Sequence, residues 1–329
     1  MQWHTPRFSI ACILISTILA VGIGFVLKPV SSLLTTCNRD QYVLLNPLIR
    51  CNSEAAKAFV GEYEDFEVEL SEWIDRQKEA GVVDDVAVYF RDLSAGPWFG
   101  INERAEFVPS SLFKLPLLIA VLRASMAVDG LLDEQVSLSG AYMGVKNLAN
   151  PEHTVLSHRD YTVIEVTEKM IVYSDNAAQY VLQQLLHVMD EDDEVLKSVY
   201  RDLGILNFYE RGTLTVKAYA SLFRVLYNAR YLPPELSEMA LDLLARSTFE
   251  DGLEKGIPPG VIIAHKFGIR DVPDEPSTKQ LHDCGIVYHP VRPYLICIMT
   301  IGKDQYRNAD IIGDISRRVY DAVNERVGS

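Results

Sequence analysis

Ser111-Leu112-Phe113-Lys114 sets a hydroxyl and an amine three residues apart, a spacing that puts both on one helix face about a turn from each other. A serine hydroxyl is a weak nucleophile until a base takes its proton. The run from Ser110 to Ser125 is apolar on nearly every side, as a helix in the middle of a domain would be, and Lys114 is the anomaly in it. An amine in apolar surroundings has its charged form disfavoured, so its pKa falls and a neutral lysine can act as the base. The pair could therefore support acyl transfer. Alone it is a weak signal, because a chain of this length contains S-x-x-K about once by chance. A serine helix cap followed by a lysine that snorkels to the surface would look the same.

Two further patterns bear on it. Ser174-Asp175-Asn176 stands just before a helix expected from Ala177, where Ser, Asp and Asn are the preferred capping residues. In a chemical role, the Ser174 hydroxyl could relay a proton between Lys114 and a leaving group, and the Asn176 amide could hold a substrate carbonyl. His265-Lys266-Phe267-Gly268 ends a strand, where Lys266 would bring positive charge and Gly268 would let backbone approach a substrate closely. An exposed lysine at a strand end is the plainer reading of that third pattern taken alone.

In this order, Ser111-x-x-Lys114, Ser174-Asp175-Asn176 and Lys266-x-Gly268 resemble the motifs of the penicillin-recognising serine hydrolases, specifically the class A β-lactamase-like branch. Similar surrounding text lies at Glu106-Phe107-Val108-Pro109-Ser110, Tyr161-Thr162-Val163 and Gly256-Ile257-Pro258-Pro259-Gly260, and the resemblance covers about residues 54 to 325. It implies that Ser111 is the acylated nucleophile and Lys114 its base or base partner. It further implies that Ser174 shuttles protons, Asn176 binds the substrate amide and Lys266 steers an anionic substrate group. Gly268 and Ile269 would complete the substrate site, with the backbone N–H groups of Ser111 and Ile269 as the oxyanion hole. Donors of that kind are worth roughly 3 to 4 kcal/mol. No metal or other cofactor is implied, and the expected partner is a small β-lactam or a peptidoglycan-derived peptide.

Two departures separate the functional alternatives. Phe267 stands where the family's third motif has Thr, so a hydroxyl that would bind the substrate carboxylate is missing. The E-x-x-L-N pattern whose glutamate activates the deacylating water is absent between Ala177 and His265. Leu206-Asn207 could be its tail, but Leu203 then occupies the glutamate position, and Glu210 is the only glutamate of the segment from Gly204 to Thr213. Glu210 is thus a candidate for deacylation, or a solvated loop residue without a role. A β-lactamase-like enzyme, a D,D-peptidase acting on cell-wall peptides and a module that is acylated without turnover all remain open. The presence of Ser111, Lys114, Ser174, Asn176 and Lys266 together argues against a dead structural domain.

These residues need a scaffold. Alternation at Val86, Val88 and Phe90 predicts a strand from Asp85 to Leu93, joined to a second at Trp98–Ile101 by the turn formers Ser94 to Pro97. Periodicity predicts helices over roughly Glu54 to Ala80, Val163 to Tyr173, Ala177 to Met189, Val216 to Tyr227, Leu236 to Leu244 and Ala309 to Val323. Strands return at Val261 to Phe267, Gly285 to His289 and Tyr294 to Ile301. Strands at both ends around a helical middle give an α+β fold, an antiparallel sheet flanked by terminal helices with an inserted all-helical subdomain.

Composition narrows the rest. The 329 residues are 48% hydrophobic and 23% charged, which excludes disorder and collagen. Thirty-one Lys plus Arg against forty-five Asp plus Glu, a net charge of −14, leave no basic stripe for nucleic acid. The five cysteines include no C-x-x-C pair and no zinc spacing, so no structural metal is expected. Phe8 to Leu27 is an uncharged, mostly apolar run bounded by Arg7 and Lys28, long enough to cross a bilayer core of about 30 Å as a helix. The expected organisation is a cytoplasmic tail at 1–7, a retained signal anchor at 8–28, a linker at 29–53 and the hydrolase domain at 54–329. That makes a single-pass protein of the cell membrane, with its catalytic domain outside the cytoplasm. A Cys37–Cys51 disulfide is permitted there, as are two free thiols.

Overall fold

The computed structural model describes residues 42–46, 62–94, 96–136, 153, 159–272 and 275–327. Its centre is an antiparallel sheet of β1 (Asp85–Asp92), β2 (Trp98–Ile101), β5 (Ile263–Val272), β6 (Glu275–Val287) and β7 (Tyr294–Gly302) in the order β2-β1-β7-β6-β5. Both faces of the sheet are covered. Val86, Val88 and Phe90 of β1, with Ile296 and Ile298 of β7, pack against the terminal helices α1 (Glu64–Glu79) and α9 (Gln305–Glu325) through Leu70, Ile74, Ile312 and Ile315. Ala87, Tyr89, Leu295, Cys297 and Met299 alternate to the other face and join the core of the helical subdomain. This two-sided burial explains why these strands are apolar almost throughout.

That subdomain contains α2 (Lys114–Ser125), α3 (Val163–Val172), α4 (Asn176–Met189), α5 (Glu194–Asp202), α6 (Leu206–Arg211), α7 (Val216–Tyr227) and α8 (Pro234–Ala245), with the short pair β3 (Gln135–Val136) and β4 (Tyr161–Thr162) at one side. Local signals start several of the helices. Thr162 and Glu165 form a reciprocal capping box on α3, Thr215 accepts from Ala218 N–H at the start of α7, and Pro234 opens α8. From Lys114 to Leu122 every residue of α2 is buried, so this helix is held by packing on all sides rather than by one apolar stripe.

The expected α+β architecture is present, with differences that have local causes. β6 extends to 13 residues, whereas only Gly285 onward is expected as strand, because its first half is polar. α5, not among the expected helices, is short and acidic at its start, and turns Val195, Leu196, Val199 and Tyr200 toward the core. Some of the segment expected as a linker is docked on the body. Leu44 and Leu45 are buried, Val43 and Leu44 N–H donate to Glu238, and Asn46 N–H donates to Tyr227 O at 2.7 Å. The packed unit therefore begins before residue 54. Cys284 and Cys297 face each other on β6 and β7 and form a disulfide that spacing did not reveal. The apolar run Phe8–Leu27 and the Cys37–Cys51 pair lie outside the described residues. Among the described residues no helix is long and apolar enough to cross a membrane.

Candidate active site

Ser110–Phe113 is a 3-10 turn that leads directly into α2 at Lys114. With three residues per turn, Ser111 and Lys114 eclipse each other along the helix axis, and Lys114 Nζ lies 3.1 Å from Ser111 Oγ. The turn is fastened from several directions. Tyr219 on α7 donates its hydroxyl to Leu112 O at 3.0 Å, and Phe107 pairs with Leu214 through two backbone hydrogen bonds of 2.8 Å. His282 on β6 donates from Nε2 to Val108 O at 3.1 Å, while its Nδ1 accepts from Thr300 N–H. Burial lowers the His282 pKa to about 4, which keeps the ring neutral and able to play both roles.

Ser110, just before Ser111, holds a left-handed φ of 53°, and Ser174 one of 54°. Such conformations cost a non-glycine residue of order 1–3 kcal/mol and persist only where surrounding contacts enforce them. At Ser110 the enforcing contact is its hydroxyl, which donates to Ile269 O on β5. Gly268 permits that approach, since a Cβ there would stand 2.7 Å from Pro109 O and 3.3 Å from Leu112 N. The Ile269 peptide is thereby brought beside the Ser111 turn, the pairing needed for two N–H groups to share one oxyanion.

Lys114 is wholly buried, which rules out the surface-snorkelling alternative. Its Nζ also lies 2.6 Å from Ser174 O, 2.8 Å from Asn176 Oδ1 and 3.1 Å from Ser174 Oγ. Burial lowers its pKa to about 7 against the opposing charge of Asp175. A neutral amine has two N–H donors and one lone pair. The carbonyl oxygens of Ser174 and Asn176 only accept, so they take both donors and leave the lone pair for a hydroxyl proton. Lys114 is thus set up as a general base toward Ser111.

Ser174-Asp175-Asn176 carries both of its readings at once. Asp175 caps α4, accepting from Ala178 N–H at 2.6 Å, while Ser174 and Asn176 reach Lys114. Lys266 is fully buried rather than exposed at a strand end, and donates to Ser174 Oγ at 2.9 Å. Ser174 Oγ is therefore shared between two lysines, the geometry a proton relay requires. Burial, reinforced by repulsion from Lys114, holds the Lys266 pKa well below its ordinary value.

The structure thus gathers Ser111, Lys114, Ser174, Asn176, Lys266, Gly268 and Ile269 into one site. Glu210 is exposed on α6, and no hydrogen bond or ion pair ties it to Ser111 or Lys114 among the described residues. Sequence reasoning missed the residues behind the site: Tyr219, His282, and the buried pair His265–Asp283. His265 Nδ1 lies 2.9 Å from Asp283 Oδ1, and its Nε2 is 3.4 Å from Glu254 Oε1. Burial alone would lower the His265 pKa, but the Asp283 and Glu254 carboxylates outweigh it and push the value up to about 9. No periodicity or motif marks such partners, because each pair is made across the sheet or between domain halves.

The family model of the beta-lactamase enzyme family matches residues 66–323. The chain belongs to that family. Several solved structures share its fold at low identity. A variant of PBP-A in an acyl-enzyme complex with penicillin G is 20% identical, covering 80% of this chain and 97% of that chain, with a TM-score of 0.65. A variant of the TLA-1 extended-spectrum beta-lactamase is 17% identical over 78% of this chain and 99% of that one, with a TM-score of 0.68. The class A beta-lactamase from Mycobacterium abscessus is 20% identical over 78% and 99%, with a TM-score of 0.64. A comparison with curated protein sequences finds no match. This beta-lactamase-family chain is thus a serine hydrolase by family, and its α+β fold is that of the class A enzymes.

Proposed function

We propose that Ser111 is acylated by β-lactams or related cell-wall peptides, and that the domain carries out this chemistry outside the cytoplasmic membrane, held there by the apolar segment Phe8–Leu27. The observation that carries the acylation reading is the buried Lys114 amine, its pKa lowered to about 7, placed 3.1 Å from Ser111 Oγ. The hydroxyl proton passes to Lys114 as Oγ attacks the carbonyl carbon. Ser174, bonded to both lysines, relays a proton to the leaving nitrogen as the C–N bond breaks. The wholly buried Cys284–Cys297 disulfide suits an oxidising compartment and supports the extracytoplasmic placement.

A penicillin-binding protein or D,D-peptidase that releases its acyl group slowly is a second reading. It is favoured by one specific observation: Glu210 is exposed and, among the described residues, has no hydrogen bond or ion pair with Ser111 or Lys114. Intact-mass measurement after mixing with penicillin G tests the reading: the protein should gain one acyl adduct that Ser111→Ala abolishes. Labelling that persists in Ser111→Ala would remove the nucleophile assignment. Protease treatment of spheroplasts tests the topology, which fails if the domain stays protected until the membrane is breached.

A further inference from the structure

The cation expected to steer an anionic substrate is sealed inside this molecule. Lys266 Nζ donates to Ser174 Oγ at 2.9 Å and to Phe267 O at 3.1 Å, and the Phe267 ring covers it, with its centroid 4.0 Å from Nζ. Phe267 is itself only 2% exposed. Phe249, half-buried, stacks on it with ring centroids 4.0 Å apart and planes at 15°. The loop carrying Phe249 is fixed in turn, because Thr248 N–H and its hydroxyl donate to Val172 O at 3.1 and 3.3 Å, two residues before Ser174. The ring pair therefore closes the gap between the Ser174 turn and β5.

A substrate carboxylate directed at Lys266 would have to separate the stacked rings or lie unpaired against them. Neither is favourable, since an aromatic face carries partial negative charge and a desolvated carboxylate needs a partner. Ser111, Asn176 and Ile269 are each partly exposed and uncharged, and Arg270, also partly exposed, follows Ile269 on β5. We propose that Phe267 and Phe249 make this site selective for acyl donors that are uncharged where they approach Lys266, with an apolar or aromatic group laid against the half-buried Phe249. This inference rests on the acyl-transfer reading above. The covalent step is unchanged: Oγ of Ser111 bonds to the acyl carbon, the C–N or C–O bond breaks, and the Ser111 proton ends on the leaving atom by way of Lys114 and Ser174.

Penicillin G and its methyl ester differ only at the carboxylate, free in one and masked as a neutral ester in the other, so they form a matched pair of probes. Mixed separately with the full chain and followed by intact mass over time, the ester should acylate Ser111 at least about tenfold faster than the free acid. Phe267→Thr, which removes the ring and supplies a hydroxyl, should reduce that preference by about tenfold or more, mainly through faster reaction of the acid. Phe249→Ala, which removes only the outer ring, should shift it in the same direction. Equal rates for the two probes, a faster acid in the unaltered protein, or the same ratio in both variants would each overturn the inference while leaving acyl transfer standing. If neither probe labels Ser111 in a chain with a native circular dichroism spectrum, the acyl-transfer reading falls and this inference with it.

Discussion

The protonation state of Lys114 gives a prediction that can be worked through in numbers. With a pKa of about 7, its neutral fraction, and with it the rate of Ser111 acylation, should rise about tenfold between pH 6 and pH 8 and then level off. Asp175 supplies the handle. Its buried carboxylate raises the Lys114 pKa against the larger effect of burial, so Asp175→Asn should move the midpoint of the profile to lower pH. The substitution preserves local structure, because Asn caps a helix about as well as Asp and can still accept from Ala178 N–H. An uncharged acylating probe, such as the methyl ester of penicillin G, keeps the reagent from titrating across the range, and rates can be read from intact mass in quenched samples. Stability should follow the same group. The folded protein releases this proton near pH 7 and the unfolded chain near its ordinary 10.5, so between those values the unfolded state binds more protons and stability from Lys114 rises with pH. An acylation rate that is flat from pH 6 to 8, or a midpoint that moves upward in Asp175→Asn, would refute the assignment of Lys114 as the base.

His265 should have the opposite sign: its raised pKa contributes stability that is fully present below pH 6.5 and lost as pH rises through about 9, measurable by urea denaturation at pH 6 and pH 10 as the part of the pH dependence that His265→Gln removes. Asp283→Asn leaves that buried imidazolium without its nearest carboxylate and should cost about 3–5 kcal/mol, read as a lower denaturation midpoint. Replacing Cys284 and Cys297 together by Ala opens a loop with a sequence separation of 13 and should cost about 3 kcal/mol, again by denaturation. Glu210→Gln should leave the decay rate of the penicillin acyl-enzyme within about twofold of the unaltered protein, since Glu210 is exposed on α6, and a severalfold slower decay would return Glu210 to a deacylating role.

The sequence by itself determined the chemistry-bearing pairs that lie within one turn and the elements with clean apolar periodicity. Ser111 and Lys114 are local to one turn, and the apolar run around them already made Lys114 an anomaly, though only the fold shows it buried rather than snorkelling. Val216–Tyr227 forms a helix over the same residues its periodicity marks, and β1 appears where alternation places it. In each case the signal is read along the chain, because side-chain spacing alone fixes which face is apolar. Tertiary structure decided everything that depends on distant segments meeting. The antiparallel register sets Lys266 opposite Cys284 and Cys284 opposite Cys297, so the disulfide comes from pairing and not from spacing. His265 meets Asp283 across 18 residues, His282 reaches Val108 across 174, and Tyr219 reaches Leu112 across 107. The sequence marked Phe267 only as a missing hydroxyl. That its ring covers Lys266 and carries Phe249 on top follows from β5 packing beside the loop held at Val172, a placement that no local propensity encodes.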